Sequence, residues 1–493
     1  MSAGTLVSRI DQLCASAGAD TESAQVAASL EAIRRRLHSP LRIGVVGRVK
    51  AGKSTLLNAM IGERLAPTDA GECTRFVSTY HFAPQYEVKL RGLDNSLSAL
   101  PFRKGDEALE VELPEEVDPQ SRLEIGWPSR RLTEATLIDT PGLGSLDPSL
   151  RERGRSLFND DGMASDVDAV LYLMRHAHRE DIDFLEGFRE AGVPLNSPVN
   201  TLAVLSRVDE IGSGRMDALD SASRIAARYQ RDERIAALAG AVLPVAGLLA
   251  ETAATMRESE YQALRQLTEA ATDVESLLLS VDRFRDPERN PLAAEIRNDL
   301  LHRLGLFGIR FALEAVREGR APSAQALSAL LEQYSGIGPL RDMVLGRFTS
   351  RAQQLIARSA LGKLRIVAKE LRVAEPALAR NLEAAIEEVM AGSHELAQLE
   401  LAHRVAIGDI RFDDRERAEF NRLVSATSPA GSLGLHATAG PQTLKAAALA
   451  AVSRWRERGA LPLTDRETRW AADVMTRSYE GIYAHVAGSS DST

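Results

Sequence analysis

Cysteine is nearly absent from this chain. Cys14 and Cys73 are the only two in 493 residues, too few for a disulfide framework. The opening MSAGTLVSRIDQLCASAGAD has neither the basic start nor the continuous apolar core of a secretion signal, so the expected compartment is the cytoplasm. No run of about eighteen apolar residues occurs; the chain is not expected to span a bilayer by itself, and any contact with the inner face of the cell membrane should be peripheral. Positive charge is not in excess either. Lys and Arg number 60 against 69 Asp and Glu, a net charge of −9, which argues against nucleic acid as a partner. What the chain does have is apolar content, 44%, enough for sizeable cores in a globular protein of roughly two to four domains.

Residues 22 to 38 place Val26, Leu30, Ile33 and Leu37 on one stripe of an amphipathic helix that stops before Pro40. From about 41 to 255, the apolar runs LRIGVVG, TLIDTPG, DAVLYLM, TLAVLSRVD and AVLPVAG alternate with polar, helix-like segments. That is the order of an α/β domain with a largely parallel sheet. Beyond about 256 the chain reads as helical. Leu327, Leu330, Leu331 and Tyr334 mark one helix, and Leu378, Leu382, Ile386 and Val389 another that begins near Pro376. Trp470, Val474, Tyr479, Ile482 and Val486 mark the last. Each stripe reads as core packing. The helices at 22–38 and 466–486 both need a partner, and their pairing would close the two ends into one bundle. The longest charge-free stretch, 423–444, is rich in Ser, Thr, Pro and Gly and reads as a flexible loop. Leu433 and Leu435 near its centre offer a shallow membrane touch, against the plainer reading of a disordered connector.

The chemistry is concentrated in four places. GRVKAGKS, residues 47–54, fits G-x-x-x-x-G-K-[ST] between the strand LRIGVVG and the helix-like STLLNAMIG, the context a phosphate loop requires. Gly47 and Gly52 permit the tight turn, and the backbone from Ala51 to Thr55 can cradle phosphates. Lys53 is placed for the β and γ phosphates and Ser54 for Mg²⁺. Further on, TLIDTPG ends a strand in Asp139-Thr140-Pro141-Gly142. There Asp139 can hold the magnesium through water, and the Gly142 amide can sense a γ-phosphate. Between these lies APTDAGECTRF, where Thr74, rather than Thr68, is expected to coordinate Mg²⁺ once the γ-phosphate is present. Ser206-Arg207-Val208-Asp209 follows an apolar strand where G proteins carry [NT]-K-x-D. Asp209 can accept both N–H groups of the guanine edge, and the Arg207 stem can lie along the base plane as a lysine stem does. Val245-Ala246-Gly247 would cover the O6 side of the base. Lys50 is a second lysine in the phosphate loop, placed either to add charge at the leaving β–γ bridge or to lie in solvent. Arg151, Arg153 and Arg155 read as a solvated face, with the alternative that one crosses to a partner's nucleotide. His176 and His178 lack a third ligand and suggest no metal.

With the long helical second half, these motifs resemble the dynamin superfamily, and more closely the shorter, IniC-type bacterial dynamin-like proteins induced by isoniazid in mycobacteria. The likeness is carried by VKAGKST at 49–55, LAPTDAGECTR at 65–75, DTPG at 139–142, SRVDEIG at 206–212 and SGIGPLRDMVLGRFTSRAQQL at 335–355. It implies an α/β P-loop GTPase domain with a mostly parallel sheet over 39–255. Helices over 1–38 would join a neck, and an all-α neck and trunk would occupy 256–493, the C-terminal helix returning to the neck. It also implies GTP hydrolysis with Mg²⁺ and GTP-dependent self-association on membranes. The implied partners are GTP and GDP, a second copy through the G domains or a larger dynamin-like paralogue, and peripheral membrane lipids. Lys50 aligns with a position where dynamins carry a serine that helps hold a monovalent cation. Two departures stand out: no lipid-binding domain or apolar paddle is evident, and Leu143 occupies the place of a Ras-type glutamine, an absence that dynamins share. Two functions are consistent with this pattern. One is a GTPase whose dimerisation moves a helical trunk at the membrane, in remodelling or maintenance under envelope stress. The other is a GTP-binding regulatory partner with little turnover of its own.

Overall fold

The computed structural model describes residues 3–66, 76–92, 96–105, 108–114, 116–118, 121–140, 167–175, 199–213, 215–270, 274–426, 428–462 and 464–490. Helices α1 (Ala3–Asp20) and α2 (Ala24–Leu37) lead into β1 (Leu41–Gly47) and α3 (Lys53–Ile61). Ten further strands follow: β2 (Val77–Phe82), β3 (Glu87–Arg91), β4 (Leu97–Ala99), β5 (Phe102–Lys104), β6 (Leu109–Val111), β7 (Arg122–Trp127), β8 (Ala135–Asp139), β9 (Ala169–Met174), β10 (Thr201–Ser206) and β11 (Val242–Val245). Nine strands form one sheet in the order β11-β10-β9-β1-β8-β2-β7-β3-β4, and β5 pairs with β6. From β11 to β8 the strands are parallel, with Val45 opposite both Asp139 and Leu171. β2 runs antiparallel to β8, and β3 antiparallel to β7.

The parallel half is buried on both faces, which is why its strands read as largely apolar runs. Alternate residues of one strand enter different cores. Ile43, Val45, Leu171, Leu173, Leu202 and Val204 join one; Val46, Val170, Tyr172, Met174, Ala203 and Leu205 join the other. The first core is closed by α1, α2, α3 and the helices Ile337–Arg347, Ala352–Ala374, Pro376–Gly392 and His394–Ala406. The second is closed by helices between Ala218–Arg231 and Ala324–Ser335. The described residues between α3 and β8 do not carry the expected helix-like structure; apart from a single turn at Arg130–Leu132, their regular elements are β2 to β7. Strands such as EVKLR bury only alternate residues, and Val88 is 2% exposed between charged neighbours, so locally they read as polar.

The two chain ends meet less directly than expected. α2 packs on α1 and on Ala352–Ala374, and the last helix, Arg466–Ser490, packs on Pro441–Ala460 and His394–Ala406. They nevertheless share one core, because His394–Ala406 also touches Ala352–Ala374. The stripe read on the last helix is inward-facing, with Val474, Tyr479 and Val486 buried. α2 is tied to the sheet by a buried ion pair between Arg36 and Asp168, and the Asp168 carboxylate also accepts the Arg42 amide at 2.8 Å. Cys14 is buried among apolar neighbours, and its thiol is pushed up to about 12 by that burial.

Residues 423–444, apart from 427, are not a flexible connector. The helix Asp414–Ser425 ends there, a turn at Pro429–Ser432 is capped by the Ser428 side chain, and Gly440 opens Pro441–Ala460. The polar residues are used in local capping bonds, and Leu433, partly buried, packs against the main core, which leaves less of its side chain for the shallow membrane touch read there. Among the described residues no helix is long and apolar enough to cross a membrane.

Candidate active site

The carboxyl ends of β1 and β8 lie side by side, and the glycine loop leaves β1 there, the position at which α/β sheets bind ligands. Gly47 is required by close approach: a Cβ on it would lie 2.6 Å from the Leu173 carbonyl oxygen of β9. Gly52 is required by conformation, at φ 90° and ψ 24°, where it starts α3. Lys50 holds a left-handed φ of 62° without being glycine, a conformation that costs roughly 1–3 kcal/mol and is kept where surrounding structure enforces it. Lys50 is exposed.

Lys53 donates to the Arg48 carbonyl at 3.3 Å. Burial holds its ammonium below the ordinary lysine value, and the facing Asp139 only partly offsets this. Ser54 donates to Asp139 Oδ2 at 3.2 Å, while Asp139 Oδ1 is buried with no hydrogen-bond partner. Burial raises the Asp139 carboxyl despite Lys53 and Ser54. The next hydroxyl, Thr140, donates back to Val45 of β1 at 2.9 Å and closes the seam between the two strands. The site therefore sets a desolvated ammonium facing a carboxyl that keeps one buried oxygen without a hydrogen-bond partner, and burial disfavours the charged form of both. A phosphate beside the ammonium and a hydrated cation beside the free carboxylate oxygen would favour the charged form of each.

Next to this loop is a cavity of about 310 Å³ lined by Ala51, Gly52, Thr55, Arg207, Asp209 and Gly247, among others. It is large enough for a nucleoside. Asp209 is 8% exposed, and burial pushes its carboxyl up to about 6. Arg207 sits at φ 53° and donates to Glu210 at 2.6 Å, while Arg175 reaches the other oxygen of Glu210 at 2.9 Å. The Arg207 guanidinium is thus anchored, leaving its stem beside the cavity. Ala246 is fully buried and its amide donates to the Ser335 carbonyl at 2.8 Å. At the next residue, a Cβ on Gly336 would lie 2.3 Å from the Pro244 carbonyl oxygen, so the strand before the base loop rests directly on the start of Ile337–Arg347. The structure thus brings Gly47, Ala51, Gly52, Lys53, Ser54, Thr55, Asp139, Arg207, Asp209, Ala246 and Gly247 to one edge of the sheet. Thr74 and Gly142 lie outside the described residues, as do Arg151, Arg153, Arg155, His176 and His178.

Sequence reading missed a buried polar network behind the loop. Asn58 Nδ2 donates to Glu251 Oε1 at 3.0 Å and to the Ala66 carbonyl at 2.9 Å. Asn58 Oδ1 accepts the amides of Leu65 and Ala66, and Arg64 Nε donates to Glu251 Oε1 at 3.0 Å. α3, the segment 64–66 and the helix Gly247–Thr255 are thereby locked together. The available signal was an asparagine inside the otherwise apolar LLNAMIG.

A family model described as Dynamin family matches residues 43–189. The isoniazid-induced protein IniC of Mycobacterium tuberculosis is 37% identical over 466 residues, 92% of each chain. A bacterial dynamin-like protein of Nostoc punctiforme is 30% identical over 146 residues, 27% of this chain and 20% of that one. A chain from a solved oligomerised bacterial dynamin pair aligns over 82% of this chain and 80% of its own, at 14% identity and a TM-score of 0.30. With its glycine loop, its mostly parallel sheet and a relative matched along nearly its whole length, the chain belongs to the dynamin family and is a bacterial dynamin-like GTPase close to IniC.

Proposed function

We propose that the chain binds GTP with Mg²⁺ at the joined ends of β1 and β8 and couples its hydrolysis, through G-domain dimerisation, to movement of the helical part at the cytoplasmic membrane. The observation that carries this reading is the Ser54–Asp139 contact beneath the glycine loop, with Asp139 Oδ1 left unpaired. In this reading the loop from Gly47 to Thr55 wraps the phosphates, with Gly52 offering a backbone N–H group and Lys53 its ammonium, while Ala51, whose amide donates to the Arg48 carbonyl at 3.1 Å, lines the cavity beside them. Ser54 and Asp139 are hard oxygen donors of the kind Mg²⁺ takes, Asp139 acting through water; Thr74 adds a ligand and Gly142 an amide on the γ side. Magnesium, when bound, neutralises charge on the transferring phosphoryl group. Asp209 reads the guanine edge, the Arg207 stem lies on the base, and Ala246 and Gly247 flank O6. Residues 1–38 and 256–493 form the neck and trunk around a G domain at 39–255, and membership of the dynamin family supports the membrane setting.

Phosphate release measured with and without anionic liposomes, at rising protein concentration, tests the coupling. Specific activity should climb with both variables. Steady turnover that ignores both would overturn the coupled reading and leave a GTPase without it.

Lys50 is assigned a part in this chemistry because it keeps a left-handed backbone at the mouth of the loop. Its ammonium would supply the cation that P-loop enzymes add beyond Lys53 and Mg²⁺. Lys50→Ala should lower single-turnover hydrolysis at least about tenfold, a barrier increase near 1.4 kcal/mol, with nucleotide affinity little changed. The unmutated protein should need no added sodium or potassium. Dependence on an alkali ion, or normal turnover in the variant, removes Lys50 from the mechanism.

A further inference from the structure

The nucleoside cavity has a wall that no motif announces. Besides the glycine loop and the Asp209 turn, it is lined by Leu301, His302 and Arg303 of the helix Ala294–Arg317, nearly a hundred residues beyond Asp209 in the sequence. We infer that this helix belongs to the nucleotide site and that His302 packs its ring against the nucleoside of the bound guanine nucleotide. The inference rests on the proposed GTP reading and names a contact within it.

The helix is held in place for this. It is broken at Gly305, at φ 62° and ψ 177°, where the chain leaves helical geometry just after the residues that line the cavity. The half before Gly305 is fastened to Gly247–Thr255, the helix that starts at the base loop. The Thr252 hydroxyl donates to the Arg303 carbonyl, and Arg303 donates to the Thr255 carbonyl at 2.8 Å and to Glu260 Oε1 at 2.7 Å. Arg303 is 5% and Glu260 9% exposed, so these are desolvated, charge-assisted bonds with little freedom to shift. Leu300 and Leu304 are buried in the second core, while His302 between them is exposed at the cavity. A planar imidazole on a rigid support, on the wall of a cavity that also holds Asp209 and Arg207, is suited to close over a purine, as aromatic rings do on nucleobases elsewhere.

The test compares a nucleotide with its phosphates alone. Calorimetry on the full chain would measure GDP and inorganic tripolyphosphate, each with Mg²⁺, against the unmutated protein, His302→Ala and His302→Phe. His302→Ala should weaken GDP about tenfold and leave tripolyphosphate unchanged, and His302→Phe should restore GDP to within about threefold. Unchanged GDP affinity in His302→Ala overturns the contact. Equal losses for GDP and tripolyphosphate assign the effect to general damage and overturn it too, as does a His302→Phe variant as weak as the alanine. An unmutated protein that does not prefer GDP to ADP would instead defeat the guanine-nucleotide reading, a separate result.

Discussion

Lys53→Ala should cut GTP turnover by at least roughly 10²–10³-fold, the usual cost of removing a preorganised charge from a developing anion, without destabilising the nucleotide-free fold. The second half of this expectation comes from the direction of the Lys53 shift. Burial lowers its pKa, so the charged form is disfavoured in the folded state, and at neutral pH this charge opposes folding. Such a group favours folding above its unfolded pKa, where it is neutral, and that advantage is lost as pH falls through the folded value. Alanine removes the penalty. The same charge is what a triphosphate needs, so the rise in melting temperature on adding nucleotide should largely vanish in the variant. For the unmutated protein that rise corresponds to about 2.7 kcal/mol at a ligand concentration 100 times Kd. Thermal denaturation with and without GTP and Mg²⁺, beside a phosphate-release assay, measures both halves. A variant that melts lower without nucleotide, or that keeps its turnover, contradicts this account of Lys53.

The parts of this site that could be read from sequence are those whose physics is local. A glycine loop between an apolar strand and a helix is a contiguous requirement, and so is an aspartate at the end of a buried strand. The parallel strands were legible for a related reason: burial on both faces leaves AVLYLM without a charged residue and LRIGVVG with Arg42 alone. The antiparallel strands were not, because a strand with one wet face alternates charge with apolar residues, as in EVKLR. Non-local pairing was also hidden. Nothing in LLAETAAT says that Glu251 will be 2% exposed against Arg64 and Asn58, since the three meet only when α3 and the helix Gly247–Thr255 pack. His302 lies in a stretch that reads as an ordinary amphipathic helix until Gly305 breaks it. The two ends of the chain illustrate the same limit: each apolar stripe was visible, but a stripe states the need for a partner and not its identity.

That distinction between local chemistry and tertiary setting matters most at Asp209. The sequence identifies a carboxylate for guanine; its burial in the fold, with Glu210 beside it, pushes that carboxyl up to about 6. A carboxylate raised in this way favours the folded state below its unfolded value, and that advantage disappears as pH rises through about 6. At neutral pH the nucleotide-free site therefore carries an unmet negative charge, and guanine relieves it by donating two N–H groups. Protonation removes the acceptor. GDP affinity should be flat above about pH 7 and fall close to tenfold per unit below about 6, one proton being lost on binding. The terminal phosphate of the nucleotide titrates in the same range, so the control is Asp209→Asn with XDP, in which xanthine offers an acceptor to the amide and no carboxylate is present. Calorimetric titrations across this range at constant ionic strength should show a steeper acid loss for the unmutated protein with GDP than for the variant with XDP. The variant should also prefer XTP to GTP. Parallel pH profiles, or a variant that still prefers guanine, would mean that Asp209 does not read the base.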